Sequence, residues 1–309
     1  MKIGIKGTNR ASAAVTVALT AGAVLTGSVF ATGAQAATPP APTIVAKGGY
    51  VMDDGTATTL FSKAAETRRS TGSTTKIMTA KVVLSQKNLN LDSKVTIQQA
   101  YSDYIVSKGA SSAHLFVGDR VTVRQLLYGL MLPSGCDAAY ALADKFGTGT
   151  TRAARVKSFI GKMNASATSL GLKNTHFDSF DGIGNGSNYS TPRDLTKIAA
   201  GAMKNATFRS VVKTRSTRQK VTTKSGGYRY MSWTNTNKLL GTYSGAIGVK
   251  TGSGPTAKYC LVFAATRNGR TVIGTVLAST SETTRTADAK KLMDYGFKKA
   301  VPRSIRRGL

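Results

Sequence analysis

Residues 247–277 read IGVKTGSGPTAKYCLVFAATRNGRTVIGTVL. Three β-rich apolar runs stand in this stretch: Ile247–Thr251, Tyr259–Ala265 and Thr271–Leu277. Asn268-Gly269 between the last two is the dipeptide of a tight hairpin, because both residues tolerate positive φ. Near the other end of the chain, Ile44–Leu60 has the same character: Gly49-Tyr50-Val51-Met52, then Asp54-Gly55 as a turn, then Thr56–Leu60. Helical patterns fill the middle. Ser73–Lys87 places Ile77, Met78, Val82, Val83 and Leu84 on more than one face, as in a helix that crosses a core. Val123–Met131 is a second helix, stopped at Pro133, and Cys136–Phe146 a third, ending at Gly147. In Arg152–Leu170 the residues Val156, Phe159, Ile160 and Met163 share a helical face, and Gly171 ends it. Ser190-Thr191-Pro192 with Asp194 supplies an N-cap, a first-turn proline and an acidic first turn for a helix through Leu195, Ile198, Ala199 and Ala202. Thr286–Phe297 closes the chain helically. The expected fold is α+β: an antiparallel sheet formed by both termini, with an all-helical region between them. No internal repeat or interior linker divides the stretch 46–300, which is expected to be one domain.

The 309 residues carry a formal charge of +29. Lys2, Lys6 and Arg10 precede an apolar, Ala-rich run from Ala11 to Phe30 and a small-x-small cleavage signal at Ala34-Gln35-Ala36. Residues 1–36 are therefore expected to be a secretory signal peptide. An uncleaved anchor is the alternative, the run being long enough to span a bilayer, but its Ala, Thr, Ser and Gly content and the cleavage signal favour removal. Residues 37–45 read as a short tether and 301–309, with Arg303, Arg306 and Arg307, as a basic tail. An exported chain this basic meets anionic wall polymers or a membrane surface. Arg-rich runs with interleaved aromatics are absent, so no nucleic-acid module is expected. Two cysteines, Cys136 and Cys260, make no disulfide framework; a single bridge in this exported chain and two separate thiols both stand open. With only His114 and His176 beside them, no structural zinc site is expected.

Three motifs carry chemistry. In Ser73-Thr74-Thr75-Lys76, positions i and i+3 of a helix share a face, so the lysine amine reaches the serine hydroxyl. A serine needs a base to become a nucleophile, and a lysine serves when burial or a neighbouring cation lets it be neutral. Ser210-Val211-Val212-Lys213 has the same spacing and is taken as chance. Ser134-Gly135-Cys136 follows Pro133 in a tight, exposed loop; Ser134 is either a proton relay or a plain helix cap. Lys250-Thr251-Gly252, followed by Ser253, ends a strand. At a sheet edge this strand could pair with an extended peptide, Lys250 and Thr251 taking a terminal carboxylate and Gly252 allowing close approach.

In this order the three motifs are the signature set of penicillin-binding proteins and serine β-lactamases. With Y-S-T-P-R-D-L at Tyr189–Leu195 and I-G-V-K-T at Ile247–Thr251, residues 45–298 resemble the low-molecular-mass DD-peptidases, in a secreted single-domain form. The resemblance implies a serine-type D-Ala-D-Ala carboxypeptidase or transpeptidase, monomeric and without a cofactor. Its substrates would be peptidoglycan stem peptides ending in D-Ala-D-Ala, with β-lactams as inhibitors. It implies Ser73 as nucleophile, Lys76 as base, Ser134 as proton relay, the N–H groups of Ser73 and Ser253 as oxyanion hole, and Lys250 and Thr251 on the carboxylate. One departure stands out: Cys136 occupies the place of the usual Asn, and a thiol is weak as donor and acceptor alike. Ser-Gly-Cys is known among single-domain transpeptidases. Two neighbouring lysines would favour its thiolate. The rivals are a β-lactamase of the same fold, a Ser-His-Asp hydrolase and a non-catalytic β-lactam- or wall-binding module. The first needs a water-directing Glu in class A, yet only Glu66 and Glu282 exist and neither lies between the first and third motifs. The second needs a histidine partner, and no G-x-S-x-G context is present.

Overall fold

The computed structural model of the chain describes residues 39–299; the expected signal peptide and basic tail lie outside them, as does the start of the tether. The elements follow in chain order as β1 (Gly48–Asp53), β2 (Thr59–Lys63), α1 (Lys76–Leu84), β3 (Lys94–Thr96), α2 (Gln99–Lys108), β4 (Arg120–Thr122) and α3 (Val123–Met131). Then come α4 (Cys136–Phe146), α5 (Arg152–Ser169), α6 (Pro192–Met203), α7 (Ala206–Lys213), β5 (Ser216–Thr222) and β6 (Tyr228–Thr234). The chain closes with β7 (Ala246–Gly254), β8 (Lys258–Arg267), β9 (Arg270–Ser279) and α8 (Glu282–Lys298).

The terminal strands form one antiparallel sheet in the order β2-β1-β9-β8-β7, so the two ends of the chain do join as expected. Successive side chains on a strand point to opposite faces, and here both faces are buried. In β8, Leu261 and Phe263 enter one apolar cluster while Val262 and Ala264 enter the other. β9 divides the same way, Val272 and Val276 against Ile273 and Leu277. This two-sided burial is why the runs read as continuously apolar. On one side, α8 covers the sheet with Leu292 and Met293; on the other, α6 packs on β1 and β9, and α1 lies deeper in that cluster with Ile77, Met78, Val82 and Val83 buried. Gly274 faces Phe263 in the register, and a Cβ there would sit 2.5 Å from the Phe263 ring.

The middle of the chain is not helical throughout. β3, β4, β5 and β6 form a second antiparallel sheet in that order, which the sequence pattern did not announce. Two of its strands are three residues long, and β5 and β6 bury only Val221, Met231 and Trp233, the opposite face being polar. The first predicted helix is also shorter: a 3-10 turn at Gly72–Thr75 precedes α1, which begins only at Lys76. In a 3-10 turn, side chains three apart eclipse, which aligns Ser73 with Lys76 across the junction.

At the end of the expected tether the chain is tied down. Ile44 is buried and its carbonyl accepts from Lys63 Nζ at 2.8 Å; the N–H groups of Val45 and Ala46 donate to the two Asp288 carboxylate oxygens at 3.1 and 2.7 Å. Asp288 has no ion-pair partner among the described residues, so these bonds are what offset its burial. Asp288→Ala is therefore expected to lower unfolding free energy by about 2–3 kcal/mol in urea titrations; a loss below about 0.5 kcal/mol would show that water replaces the carboxylate without cost.

Candidate active site

The 3-10 turn, the loop before α4, the segment after α2 and strand β7 enclose a cleft of about 620 Å3. Ser73, Ser134, Cys136, Thr251, Gly252 and Ser253 all line it, and Lys76 and Lys250 lie buried beneath. The three sequence motifs, up to 180 residues apart in the chain, thus meet at one place.

Lys76 is fully buried at the start of α1. Its Nζ donates to Ser73 Oγ at 2.8 Å, to the Asp181 carbonyl at 3.1 Å and to Cys136 Sγ at 3.3 Å, using all three of its hydrogens. Three separate elements therefore fix the amine against the Ser73 hydroxyl. Asp181 is itself immobilised: its carboxylate accepts from Tyr104 Oη at 2.8 Å and from the Ile183 N–H at 2.9 Å.

Ser134 is buried, not exposed, and it does not cap α4, whose N-cap is Gly135 with no side-chain bond. The backbone there is left-handed, with φ +68°, an uncommon conformation for a residue with a Cβ. It is held by the loop's own bonds: Ser111 Oγ donates to the Ser134 carbonyl at 2.6 Å, Gly135 N to the Gly129 carbonyl at 2.9 Å, and Cys136 N to the Ser111 carbonyl at 2.8 Å. Ser134 Oγ itself is buried with no partner among the described residues, in a residue that lines the cleft. Asp137, next on α4, clamps the facing segment by accepting from Ala113 N and Ser112 Oγ, both at 2.8 Å.

Cys136 and Cys260 are two separate buried thiols, which removes the disulfide alternative. The thiolate expected from the lysines does not follow either. Burial pushes the Cys136 thiol up, the Lys76 charge only opposes this, and the Asp181 charge adds to it. Burial likewise takes Cys260 up to about 11. Lys250 shows the reverse sign: burial, and then the charge of Lys76, hold its ammonium well below the usual lysine range. Neither lysine has an ion pair among the described residues; Lys250 Nζ donates to the Thr251 carbonyl at 3.1 Å.

Strand β7 is the edge of its sheet, as the peptide-pairing reading requires. Gly252 is needed for a reason the sequence did not show. A Cβ on it would lie 2.7 Å from the Thr71 carbonyl and 3.0 Å from the Thr74 N, while one on Gly72, at φ +49°, would lie 2.9 Å from the Ser253 carbonyl. The two glycines let strand and turn touch backbone to backbone, which sets Ser253 beside the Ser73 turn.

Two further residues escaped the motif reading. Thr236, two residues beyond β6, lines the cleft with its Oγ1 2.6 Å from Thr251 Oγ1; its N–H donates to the Leu132 carbonyl at 3.1 Å. Arg285 on α8 lies buried behind β7, donating through Nη1 to the Gly252 and Cys260 carbonyls, both at 3.4 Å, and through Nη2 to Glu282 at 3.1 Å. No local pattern marks either residue, since each reaches the site by tertiary approach. Among the described residues no three of His, Cys, Asp and Glu gather to hold a metal, and neither His114 nor His176 lines the cleft.

A family model of serine peptidases described as D-alanyl-D-alanine carboxypeptidase matches residues 34–281. A D-alanyl-D-alanine carboxypeptidase of Streptomyces sp. strain K15 is 72% identical over 279 residues, which cover 89% of this chain and 96% of that one. DacF of Bacillus subtilis, also a D-alanyl-D-alanine carboxypeptidase, is 31% identical over 82% of this chain, and the match spans 62% of its length. The crystal structure of the Streptomyces K15 DD-transpeptidase superposes with a TM-score of 0.83 at 76% identity, covering 84% of this chain and 99% of that one.

The unpaired burial of Lys250 has a measurable signature. With its folded pKa depressed, the unfolded chain binds the extra proton at every pH between that depressed value and the ordinary value of about 10.4. Stability contributed by this residue therefore rises with pH across that window. Comparing urea unfolding of the parent and Lys250→Met, the parent should gain on the variant by up to about 1.4 kcal/mol per pH unit there. A gap that stays constant between neutral and alkaline pH would mean that Lys250 is charged in the fold.

Proposed function

The chain belongs to the D-alanyl-D-alanine carboxypeptidase family of serine peptidases, and on that premise we propose that Ser73 cleaves the amide between the two terminal D-alanines of bacterial wall stem peptides. The observation that carries this reading is the 2.8 Å contact between Lys76 Nζ and Ser73 Oγ inside the cleft. In the fraction of molecules whose Lys76 amine is free, its lone pair takes the Ser73 proton while Oγ attacks the carbonyl carbon. The N–H groups of Ser73 and Ser253 stabilise the oxyanion. As the tetrahedral intermediate collapses, the proton passes through the unpartnered Ser134 hydroxyl to the leaving amine, and D-alanine departs. The acyl group on Ser73 then goes to water or to an amine of a second wall peptide. β-Lactams imitate the substrate and acylate the same oxygen.

Thr251 and Lys250 take the substrate's terminal carboxylate. Thr236 has a positioning role: its Oγ1, 2.6 Å from Thr251 Oγ1, fixes the orientation of the Thr251 hydroxyl that takes the carboxylate. Cys136 presents only a buried neutral thiol to the acyl group, so deacylation by water is slow and capture by an amine is favoured.

A class A β-lactamase needs a free carboxylate to activate water, and among the described residues the cleft offers none. Glu282 lies on the cleft but is engaged by Arg285, Glu66 is paired with Arg193, and the carboxylates of Asp137 and Asp181 are taken up by N–H and hydroxyl donors. A purely wall-binding module would have no use for the Lys76–Ser73 contact; a β-lactam-binding one would keep acylation and lose turnover. The sequence of residues 1–36 supports export, with the mature chain a monomer acting at the extracellular face of the cytoplasmic membrane and in the cell wall. Among the described residues no helix is long and apolar enough to cross a membrane.

Incubation with a fluorescent penicillin, read by intact mass, should give one stable adduct on the parent and none on Ser73→Ala. An adduct that persists on Ser73→Ala would sink the assignment, and rapid release of hydrolysed drug would establish the β-lactamase. Thr236→Val should raise KM about ten-fold for a peptide with a free terminal carboxylate. Its C-terminally amidated analogue should be unaffected, and Thr236→Ser should restore the parent value. Equal effects on both peptides would refute the positioning role.

A further inference from the structure

The second sheet packs Val95, Val121, Val221, Met231 and Trp233 into the core and turns its other face to solvent. On that face stand Lys94, Arg120, Arg218 and Lys220, with Tyr228 and Tyr230. The remaining strand positions on it are Ser or Thr, and none is Asp or Glu. The two tyrosines are 60% and 49% exposed, high for aromatic residues on a sheet, and their rings meet edge to face at 5.8 Å. The cations are held against them: the Arg218 guanidinium lies 3.8 Å from the Tyr230 ring centre, and Lys220 Nζ lies 4.0 Å from that of Tyr228. Lys94 Nζ is fixed by Thr222 Oγ1 at 3.2 Å. Stacking of this kind pre-orders the cationic groups, so less side-chain entropy is lost when a ligand binds.

We propose that this face docks an anionic, hydroxyl-rich wall polymer, a polyol- or sugar-phosphate chain; the proposal rests on the reading of the protein as an exported wall enzyme. Charge complementarity favours that occupant, since the face is carboxylate-free in a chain of net charge +29. Alternate residues along a strand are about 7 Å apart, so Arg218 and Lys220 offer evenly spaced contacts to a repeating anion. Hydroxyls line the rest of the face, which suits polyol or sugar units. An anionic membrane fits less well, because the face carries no aliphatic side chain and its two aromatic rings are already capped by cations. β6 leads within two residues to Thr236 on the cleft, so a polymer held here keeps neighbouring stem peptides near Ser73 at raised local concentration.

The test is cosedimentation of the full mature chain with isolated sacculi that retain their anionic polymers, with sacculi stripped by hydrofluoric acid, and with phosphatidylglycerol vesicles. The chain with Arg218→Gln and Lys220→Gln is compared with one of equal charge carrying Lys157→Gln and Lys173→Gln, both exposed lysines outside this sheet. Retention on intact sacculi should fall about ten-fold for the first and stay at the parental level for the second, and stripped sacculi should retain none of the three chains strongly. Equal losses in both variants would reduce the effect to net charge and overturn the proposal. So would undiminished retention on stripped sacculi, or a loss of binding to vesicles but not to sacculi. Penicillin labelling of Ser73, measured in parallel, should be the same in all three chains; its failure would tell against the catalytic reading and leave the docking result to be read separately.

Discussion

Two lysines, Lys76 and Lys250, are sealed in one core without a carboxylate between them. An unpaired buried ammonium costs several kcal/mol, so the surroundings must either satisfy each amine by hydrogen bonds or hold it neutral. Both happen. Lys76 spends its three hydrogens on a hydroxyl, a carbonyl and a sulfur, and Lys250 is pressed toward its uncharged form. The same bonds that make Lys76 tolerable also aim it at Ser73. Stability and chemistry meet in one set of contacts, and the cost is carried by a sheet buried on both faces.

Position follows from backbone contact. Because Gly72 and Gly252 lack side chains, β7 lies directly on the turn that bears Ser73. β7 in turn is held by β8 and β9, and β9 is held by β1 from the start of the domain. The third motif therefore reaches the first through strands contributed by both ends of the chain, and Asp288 fastens the entry of β1 to α8.

Much of this could be read from the residues. Asn268-Gly269 marks the β8–β9 hairpin because both residues sit at positive φ, +49° and +71°. Thr191, Pro192 and Asp194 start α6 as their types require, the threonine hydroxyl accepting from the Asp194 N–H. The catalytic types stood out because the chemistry admits few substitutes. The second sheet did not, since its strands are short or half polar and helix-like spacing around them drew attention away. Burial reversed two local inferences: Ser134, taken for an exposed loop residue, lies inside, and the lysines do not ionise Cys136 once water is excluded. Thr236, Arg285 and Asp181 could not be found from spacing, because what matters about each is the group it touches across the fold.

The open edge of β7 has one more consequence. A strand with unpaired N–H and C=O groups is a template for any other strand, and proteins commonly blunt such edges to avoid self-association. This one must stay open to admit a peptide, so protection has to come from access. Its Thr251–Gly254 segment forms one wall of a cleft faced by the Gly109–Ser111 and Pro133–Ser134 loops. An extended chain laid in that slot pairs with the edge and leaves no free N–H or C=O on it for another strand. The groups that would hold a substrate strand are thus the same groups that a second sheet edge would need.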